Sequence, residues 1–332
     1  MADRLYGLLG RQHNIHIISY AGFAVDEAAS RNNQLSIDPL YYTHAYTHNE
    51  LLLDEIQQYK GQSLYGLEAQ CIALNNALLL IQSIQQRECR YILIAHSIGS
   101  YLTSQLQYRY NTNKQSLLNP YAVNTQLNII HSFLCFPFIR FDLSITNNLF
   151  FRLSFYVRIL IYTTGYILRA LPSKWLVALL TTFSDDLHEP HSLHTSLGMI
   201  LSARMIVQWM YLGRTEFLYL PSMKYKHQFI HVMRSIQHNT TMFYANKKED
   251  YWGPKTQGEE LQQQYPGLDV RVDDECTHAF CTKAHMYNNI AEQICDKIAS
   301  ITGEKTQRDM ELSGNDANVF TTIAKHQKYS KL

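Results

Sequence analysis

Hydrophobic positions recur along the chain at two alternating spacings, one typical of strands and one typical of helices. Short apolar runs predict buried strands at residues 14–20, 91–95, 127–136, 240–245 and 268–272. Helical patterns predict helices at residues 64–85, 100–110 and 283–301. Because strands alternate with helices, we predict an α/β fold class with a mostly parallel sheet that is covered by helices on both faces.

The pattern changes between residues 137 and 237, where two long apolar segments interrupt the alternation. Residues 150–171 are nearly long enough to cross a bilayer, yet Arg152, Arg158 and Arg169 lie among them. A central Arg costs about 2.5–3.5 kcal/mol on an insertion scale, which argues against a membrane span. Arg158 and Arg169 fall on one narrow helical stripe, so we predict a helix that lies in a lipid interface.

The second apolar segment, residues 197–212, repeats this pattern and adds Trp209. We therefore expect Arg158, Arg169 and Trp209 to contact a membrane interface. The alternative is that both helices only pack over the mouth of the folded core as a cap.

These patterns divide the chain into four segments. Residues 1–136 are predicted to form the first part of the sheet core, and residues 238–302 its second part. Residues 137–237 form the hydrophobic helical cap or lipid-surface insertion between them. Residues 303–332 are polar without a sustained period and are predicted to be a disordered tail.

Composition and charge exclude several classes of function. Hydrophobic residues make up 46% of the 332, which is ample for a core. The 29 basic and 28 acidic residues give a net charge of +1 and form no basic stripe, so nucleic acid is excluded as a partner. Six scattered cysteines show no metal-ligand spacing, and we predict neither a metal nor a cofactor. The N-terminus has no signal-peptide pattern, which indicates a reduced, cytosol-facing protein.

A turn between a predicted strand and a predicted helix carries the most specific chemistry. The apolar run at residues 91–95 leads into Ala-His-Ser-Ile-Gly at 95–99, and a helical pattern begins at once behind it. This is the layout of a nucleophile elbow, where Ala95 and Gly99 leave room for strand and helix to approach closely. Ser97 is therefore the candidate nucleophile, at a helix N-terminus that favours negative charge.

A serine nucleophile needs a base, and an acid that orients this base, and in sheet enzymes of this type the acid precedes the base along the chain. Asp250 follows the predicted strand at 240–245, and His278 follows the predicted strand at 268–272. The 28 residues between them leave room for one helix and one strand. Four residues compete for these roles: Glu249, Asp273, Asp274 and His285.

Three motifs in this order resemble the lipid droplet-associated hydrolase family, a group within the α/β-hydrolase superfamily. They are Ala-His-Ser-Ile-Gly-Ser-Tyr at 95–101, Asp-Tyr-Trp-Gly-Pro at 250–254 and Thr-His-Ala-Phe at 277–280, supported by segments 19–23 and 213–216. The resemblance implies an α/β-hydrolase fold with Ser97, Asp250 and His278 as nucleophile, acid and base. It also implies hydrolysis of neutral lipid esters (sterol esters or acylglycerols), a role in lipid storage, and attachment to the cytosolic face of lipid droplets or endoplasmic reticulum.

Acyl transfer also needs N–H donors for the oxyanion, and one is the backbone N–H of Ile98. In the family, a first strand and an oxyanion loop precede a segment that Ser19-Tyr20-Ala21-Gly22 matches here, and only 18 residues come before it. We therefore expect the first strand and oxyanion loop to be missing; alternatively, Gly22 itself lies in that loop. The rival functions are a catalytically weak or inactive lipid-droplet protein that keeps the hydrolase scaffold, and a soluble peptide or small-ester hydrolase.

Overall fold

The computed structural model of the chain describes residues 5, 8–9, 13, 15–16, 56–59, 62–85, 89–112, 127–140, 171–183, 193, 203–221, 223–246, 250 and 252–303. Contacts divide the chain into two compact units, Ile17–Lys283 and a second unit of Met1–His16 with Ala284–Leu332. The division into four segments that the sequence suggests stays a prediction.

The described elements of the larger unit are six strands and six α-helices. In chain order they are β1 (Ile56–Tyr59), β2 (Gln62–Tyr65), α1 (Leu67–Gln85), β3 (Arg90–His96), α2 (Ile98–Asn111), β4 (Asn128–Cys135), α3 (Ser173–Phe183), α4 (Ala203–Tyr219), α5 (Met223–Ile236), β5 (Thr240–Ala245), α6 (Lys255–Gln264) and β6 (Asp269–Asp273). The smaller unit contains α7 (Ala284–Thr302), whose apolar positions, among them Ile290 and Ile294, are buried. This confirms the helix predicted at 283–301.

Four strands form a parallel sheet in the order β3-β4-β5-β6. The strands predicted at 91–95, 127–136, 240–245 and 268–272 are confirmed. The bounds of β5 agree with the prediction, and those of β3, β4 and β6 differ from it by one residue at each end. Every residue of β5 is buried, as expected for a strand flanked on both sides. Because the strands are parallel, their carboxyl ends meet at one edge of the sheet, and the segments that follow β3, β5 and β6 come together there.

Only part of the prediction for the first strand falls on described residues. Ile15 and His16 have no regular structure, and the remainder of 14–20 lies outside the described residues. The short antiparallel hairpin of β1 and β2 was not predicted.

A polar seam joins α1 and α2. Both guanidinium nitrogens of Arg109 donate to the carboxylate of Glu68, at 2.7 and 2.8 Å, and the hydroxyl of Tyr110 donates to Asn75 at 2.7 Å. Among the described helices, α1 has the length and hydropathy of a membrane span, with a mean hydropathy of 1.2 over its most apolar window. Because 61% of that window is buried within the fold, α1 has the character of a core helix.

Helix α4 confirms a helix in the second apolar segment, although it begins at Ala203 and extends to Tyr219. The side-chain amide of Gln208, fully buried, accepts from the N–H of Tyr65 at 2.9 Å and donates to the carbonyl of Tyr65 at 2.7 Å. This amide satisfies the free edge of β2 and thereby attaches α4 to the core. Of the first apolar segment, 150–171, only Leu171 is described, and Arg152, Arg158 and Arg169 lie outside the described residues, as does the tail beyond Gly303.

A buried carboxyl group lies on the core face of α4. Glu216 is 9% exposed, and its helical neighbours Leu212 and Leu220 belong to the hydrophobic core. In the described part of the chain its side chain forms no hydrogen bond. Burial raises the pKa of Glu216 from 4.5 to about 8, because a charged carboxylate is poorly solvated there.

We expect Glu216→Gln to stabilise the protein at neutral pH. A raised folded-state pKa means that the folded protein holds the proton while the unfolded chain releases it, so stability is lost as pH rises from 4.5 towards about 8. At pH 7 this loss is about 3 kcal/mol. In urea unfolding, the free energies of unfolding of the variant and wild type should differ little at pH 4.5 and by about 3 kcal/mol at pH 7. The exposed Glu259→Gln is the control; an equal gap at both pH values would contradict the assignment.

Candidate active site

Ser97 lies in a strained turn between β3 and α2. Its φ of 53° and ψ of −123° are unusual for a residue with a Cβ and cost roughly 1–3 kcal/mol. The turn is held because the N–H of Ser97 donates to the carbonyl of Cys135 at 3.1 Å, and the N–H of Phe138 donates to the carbonyl of Ser97 at 3.1 Å. Phe136, with φ of 49°, turns the chain after β4 so that Phe138 can reach this carbonyl. The end of β4 therefore fixes the backbone that presents Ser97.

Asp250 follows β5 and is held by the loop behind it. Its side chain is 2% exposed, and its Oδ1 accepts from the N–H groups of Trp252 at 3.0 Å and Gly253 at 3.1 Å. A Cβ on Gly253 would lie 2.8 Å from the carbonyl oxygen of Pro137, so only glycine allows this approach. These two N–H groups orient the carboxylate and satisfy a charge that is out of contact with water.

His278 lies in the loop after β6, where Asp273 organises the chain. The Oδ1 atom of Asp273 accepts from the N–H groups of Glu275 at 3.0 Å and Cys276 at 2.8 Å. A short 3₁₀ turn, Phe280–Thr282, closes the loop. The side chain of His278 is 21% exposed, which leaves its ring accessible.

The structure brings the three predicted side chains together. The Nε2 atom of His278 lies 2.9 Å from the hydroxyl of Ser97, and its Nδ1 atom lies 3.2 Å from Oδ1 and 3.3 Å from Oδ2 of Asp250. A carboxylate can only accept, so Nδ1 carries the hydrogen and the neutral ring accepts at Nε2. This arrangement can remove the proton from the Ser97 hydroxyl.

The competing residues have other places. Asp273 is engaged within its own loop, and Asp274 accepts from the side-chain amide of Asn246. His285 lies in α7, in the other compact unit. Glu249 lies outside the described residues.

Ile98 is the first residue of α2, so its N–H has no acceptor within the helix. It can therefore donate to negative charge that develops next to Ser97. The predicted absence of an oxyanion loop, and the alternative at Gly22, both fall on residues outside the described part of the chain.

Three aromatic side chains beside His278 form an aromatic wall, and the sequence analysis did not predict this cluster. We use this name for Phe138, Phe217 and Trp252, whose ring centroids lie 5.2 to 6.2 Å apart. The Trp252 ring is 6.4 Å from the ring of His278. Phe217 comes from α4, so the second apolar segment and its extension contribute to the surroundings of the site. The three residues are far apart in sequence, and no local pattern connects them.

His96 was also missed as a functional residue, although it lies inside the elbow motif. Its Nε2 atom lies 2.7 Å from the carbonyl oxygen of His278. Burial, and to a smaller extent the nearby His278, lower the pKa of His96 to about 4. His96 is therefore a neutral hydrogen-bond donor at ordinary pH.

Comparison with known proteins places this chain in a family. The sequence model of the family described as Lipid-droplet associated hydrolase matches residues 1–281. The chain belongs to this family. It is 25% identical to the Lipid droplet-associated hydrolase of Homo sapiens over 299 residues, which cover 90% of this chain and 78% of the human protein. It is also 25% identical to the Lipid droplet-associated hydrolase of Pongo abelii over 300 residues, with the same coverage of each chain.

Solved structures of hydrolases are also similar to this chain. An alpha/beta hydrolase enzyme from a Medee basin deep-sea metagenome library has a TM-score of 0.44 at 14% identity, covering 74% of this chain and 76% of that one. A thermophilic esterase from Thermogutta terrifontis has a TM-score of 0.43 at 14% identity, covering 72% and 74%. The family expected from the sequence motifs is confirmed, and the parallel four-stranded sheet with its helices confirms the predicted α/β fold class.

The candidate lipid-contact residues are only partly described. Trp209 lies on α4 and is 60% exposed, and Trp175 on α3, which was not predicted, is 63% exposed. Arg158 and Arg169 lie outside the described residues. Among the described residues no group of three or more His, Cys, Asp or Glu is arranged to hold a metal ion.

Proposed function

We propose that this family member is a serine ester hydrolase in which Ser97 is the nucleophile, His278 the base and Asp250 the acid. The observation that carries the proposal is the hydrogen-bonded series from the Ser97 hydroxyl through the His278 ring to the buried Asp250 carboxylate. The same three groups in this geometry perform acyl transfer on several unrelated folds. The strained backbone of Ser97 supports the proposal, since such strain persists where function requires an exposed nucleophile.

The chemistry follows from the contacts. His278 Nε2 takes the hydroxyl proton as Ser97 Oγ bonds to the ester carbonyl carbon, and the oxyanion faces the N–H of Ile98. The intermediate collapses, the ester C–O bond breaks, and the leaving alcohol takes the proton from His278. Water, deprotonated by the same ring, then attacks the acyl-enzyme and releases the carboxylic acid with Ser97 restored. Asp250 holds the ring in the required tautomer throughout.

Neutral lipid esters, such as sterol esters or acylglycerols, are the substrates that we propose. Phe217 and Trp252, the two half-buried members of the aromatic wall, offer an apolar surface beside the base, which suits an uncharged acyl chain. The curated relatives carry lipid droplets in their name, which supports a lipid substrate and a role in lipid storage.

We place the protein on the cytosolic face of lipid droplets or endoplasmic reticulum. Trp175 and Trp209 are large, mostly exposed aromatic side chains on α3 and α4, and tryptophan prefers the boundary between apolar chains and water. In this proposal Arg158 and Arg169 lie among lipid headgroups, as the sequence stripe predicts.

Hydrolysis of emulsified against dissolved esters tests the lipid assignment. The paired substitutions Trp175→Ala and Trp209→Ala should lower hydrolysis of cholesteryl oleate or trioleoylglycerol emulsions by roughly tenfold, because about 1.4 kcal/mol of surface affinity is lost. Hydrolysis of dissolved 4-nitrophenyl butyrate should not change.

Replacing the exposed apolar residue Ile84 on α1 by Ala is the matched control and should leave both rates unchanged. Wild-type protein that hydrolyses the dissolved ester but neither emulsion would indicate a small-ester hydrolase. Inactivity on all three esters would favour a scaffold without turnover.

A further inference from the structure

Two successive residues at the end of β3 hold the same histidine at two points. The hydroxyl of Ser97 lies 2.9 Å from the ring Nε2 of His278, and Nε2 of His96 lies 2.7 Å from the backbone carbonyl oxygen of His278. A carbonyl only accepts, so the Nε2–H of His96 is the donor. The ring and the main chain of His278 are therefore both tied to the strand that presents Ser97.

The surroundings of His96 keep this donor rigid. The ring packs edge-on against Phe280 at 5.2 Å between centroids, and Phe280 in turn packs on Phe136 at 4.9 Å. Phe136 is fully buried and Phe280 almost so. A half-buried imidazole packed between the rings of Phe280 and His278 has few alternative positions, so its hydrogen bond defines where the carbonyl lies.

The charge state of His96 suits the chemistry. The two imidazole rings are 5.1 Å apart, so a positive charge on His96 would oppose the imidazolium that forms on His278 during acyl transfer. Because burial keeps His96 neutral, it donates a hydrogen bond without adding that repulsion.

Three further hydrogen bonds shape the loop from within. Asp273 accepts from Glu275 and Cys276, and Phe280 donates to the carbonyl of Thr277. These contacts give the loop its shape, and none of the three reaches β3. Among the described residues, the bond from His96 is the one that links the backbone of His278 to β3.

We infer that His96 is a positioning residue for the base, an inference that rests on the proposed function. It fixes the distance between the His278 backbone and β3, so that the ring reaches both the Ser97 hydroxyl and the Asp250 carboxylate. Removing the donor frees the loop to shift, and the Ser97–His278 hydrogen bond is no longer held at proton-transfer distance.

Three variants test this role. His96→Phe keeps an aromatic ring but removes the donor, and it should lower kcat for dissolved 4-nitrophenyl butyrate roughly 10- to 100-fold with KM nearly unchanged. His96→Gln restores an N–H donor at similar reach and should recover most of kcat. The rate of covalent labelling by a fluorophosphonate should fall and recover in parallel. If His96→Phe does not fold, His96→Asn, whose amide ends short of the carbonyl, should show the same loss.

His131→Phe is the matched control, because His131 is a buried histidine on β4 that bonds Thr241 at 3.0 Å. It should leave kcat near the wild-type value. If wild type is labelled at Ser97, three results would each overturn this inference while leaving the proposed function intact. They are an equal kcat for wild type and His96→Phe, no recovery of kcat by His96→Gln, and an equal loss of kcat in His131→Phe. Wild-type protein that is not labelled at all would overturn the proposed function and this inference with it.

Discussion

Ser97→Ala is expected to remove ester hydrolysis, with a fall in kcat of at least about 10⁴-fold for dissolved 4-nitrophenyl butyrate. The hydroxyl oxygen is the atom that bonds to the acyl group, and no other group at the site can replace it. Alanine keeps the Cβ and therefore the same strained backbone, so the lost bond to His278 should change stability by only about 1 kcal/mol. Steady-state rates and thermal unfolding of the same preparations measure both effects.

Ser100→Ala is the control for removing a serine hydroxyl from the same region. Ser100 is fully buried on α2, and its hydroxyl donates to the carbonyl of Ala95 at 3.4 Å rather than to His278. Its rate should stay within a few-fold of wild type. Substantial hydrolysis by Ser97→Ala, with wild-type substrate affinity, would sink the nucleophile assignment.

His278→Ala should lower kcat by roughly 10³- to 10⁴-fold, because the serine then has no base within reach. Asp250→Asn should cost less, on the order of 10²- to 10⁴-fold, since the ring remains but its preferred tautomer is lost. Rates on the dissolved ester at several pH values measure these effects.

His285→Ala and Asp274→Asn are the matched controls, because both residues compete for these roles on sequence grounds alone. His285 is exposed on α7, and Asp274 accepts from Asn246. Both variants should keep near wild-type rates. A larger loss in either control than in its partner would reassign the base or the acid.

Strands and helices with strong apolar periods could be predicted from the sequence, and those without them could not. The four parallel strands are short apolar runs, and burial on both faces produces such runs. The hairpin of β1 and β2 carries the polar sequences IQQY and QSLY, which have no apolar alternation. Helix α5 has buried residues at a helical period, Tyr225, Phe229, Val232 and Ile236, but its lysines and histidines lower its average hydrophobicity.

The candidate site, like the fold, could be predicted only in part from the sequence. The positions of Ser97, Asp250 and His278 follow from local patterns, since each lies in the segment after a predicted strand and parallel strands end at one edge. The aromatic wall comes from three separate segments, and only the fold brings them together. The bond from His96 ends on a backbone carbonyl, which carries no sequence signal at all.

Mapping the covalent adduct of a fluorophosphonate on the wild-type protein tests the central claim most directly. The probe phosphonylates a serine only where a base activates its hydroxyl, so proteolysis and mass spectrometry identify the nucleophile without knowledge of the lipid substrate. The account predicts a single adduct on the peptide that contains Ser97, and its loss in His278→Ala. An adduct on another residue, or a folded protein that is not labelled, would contradict it.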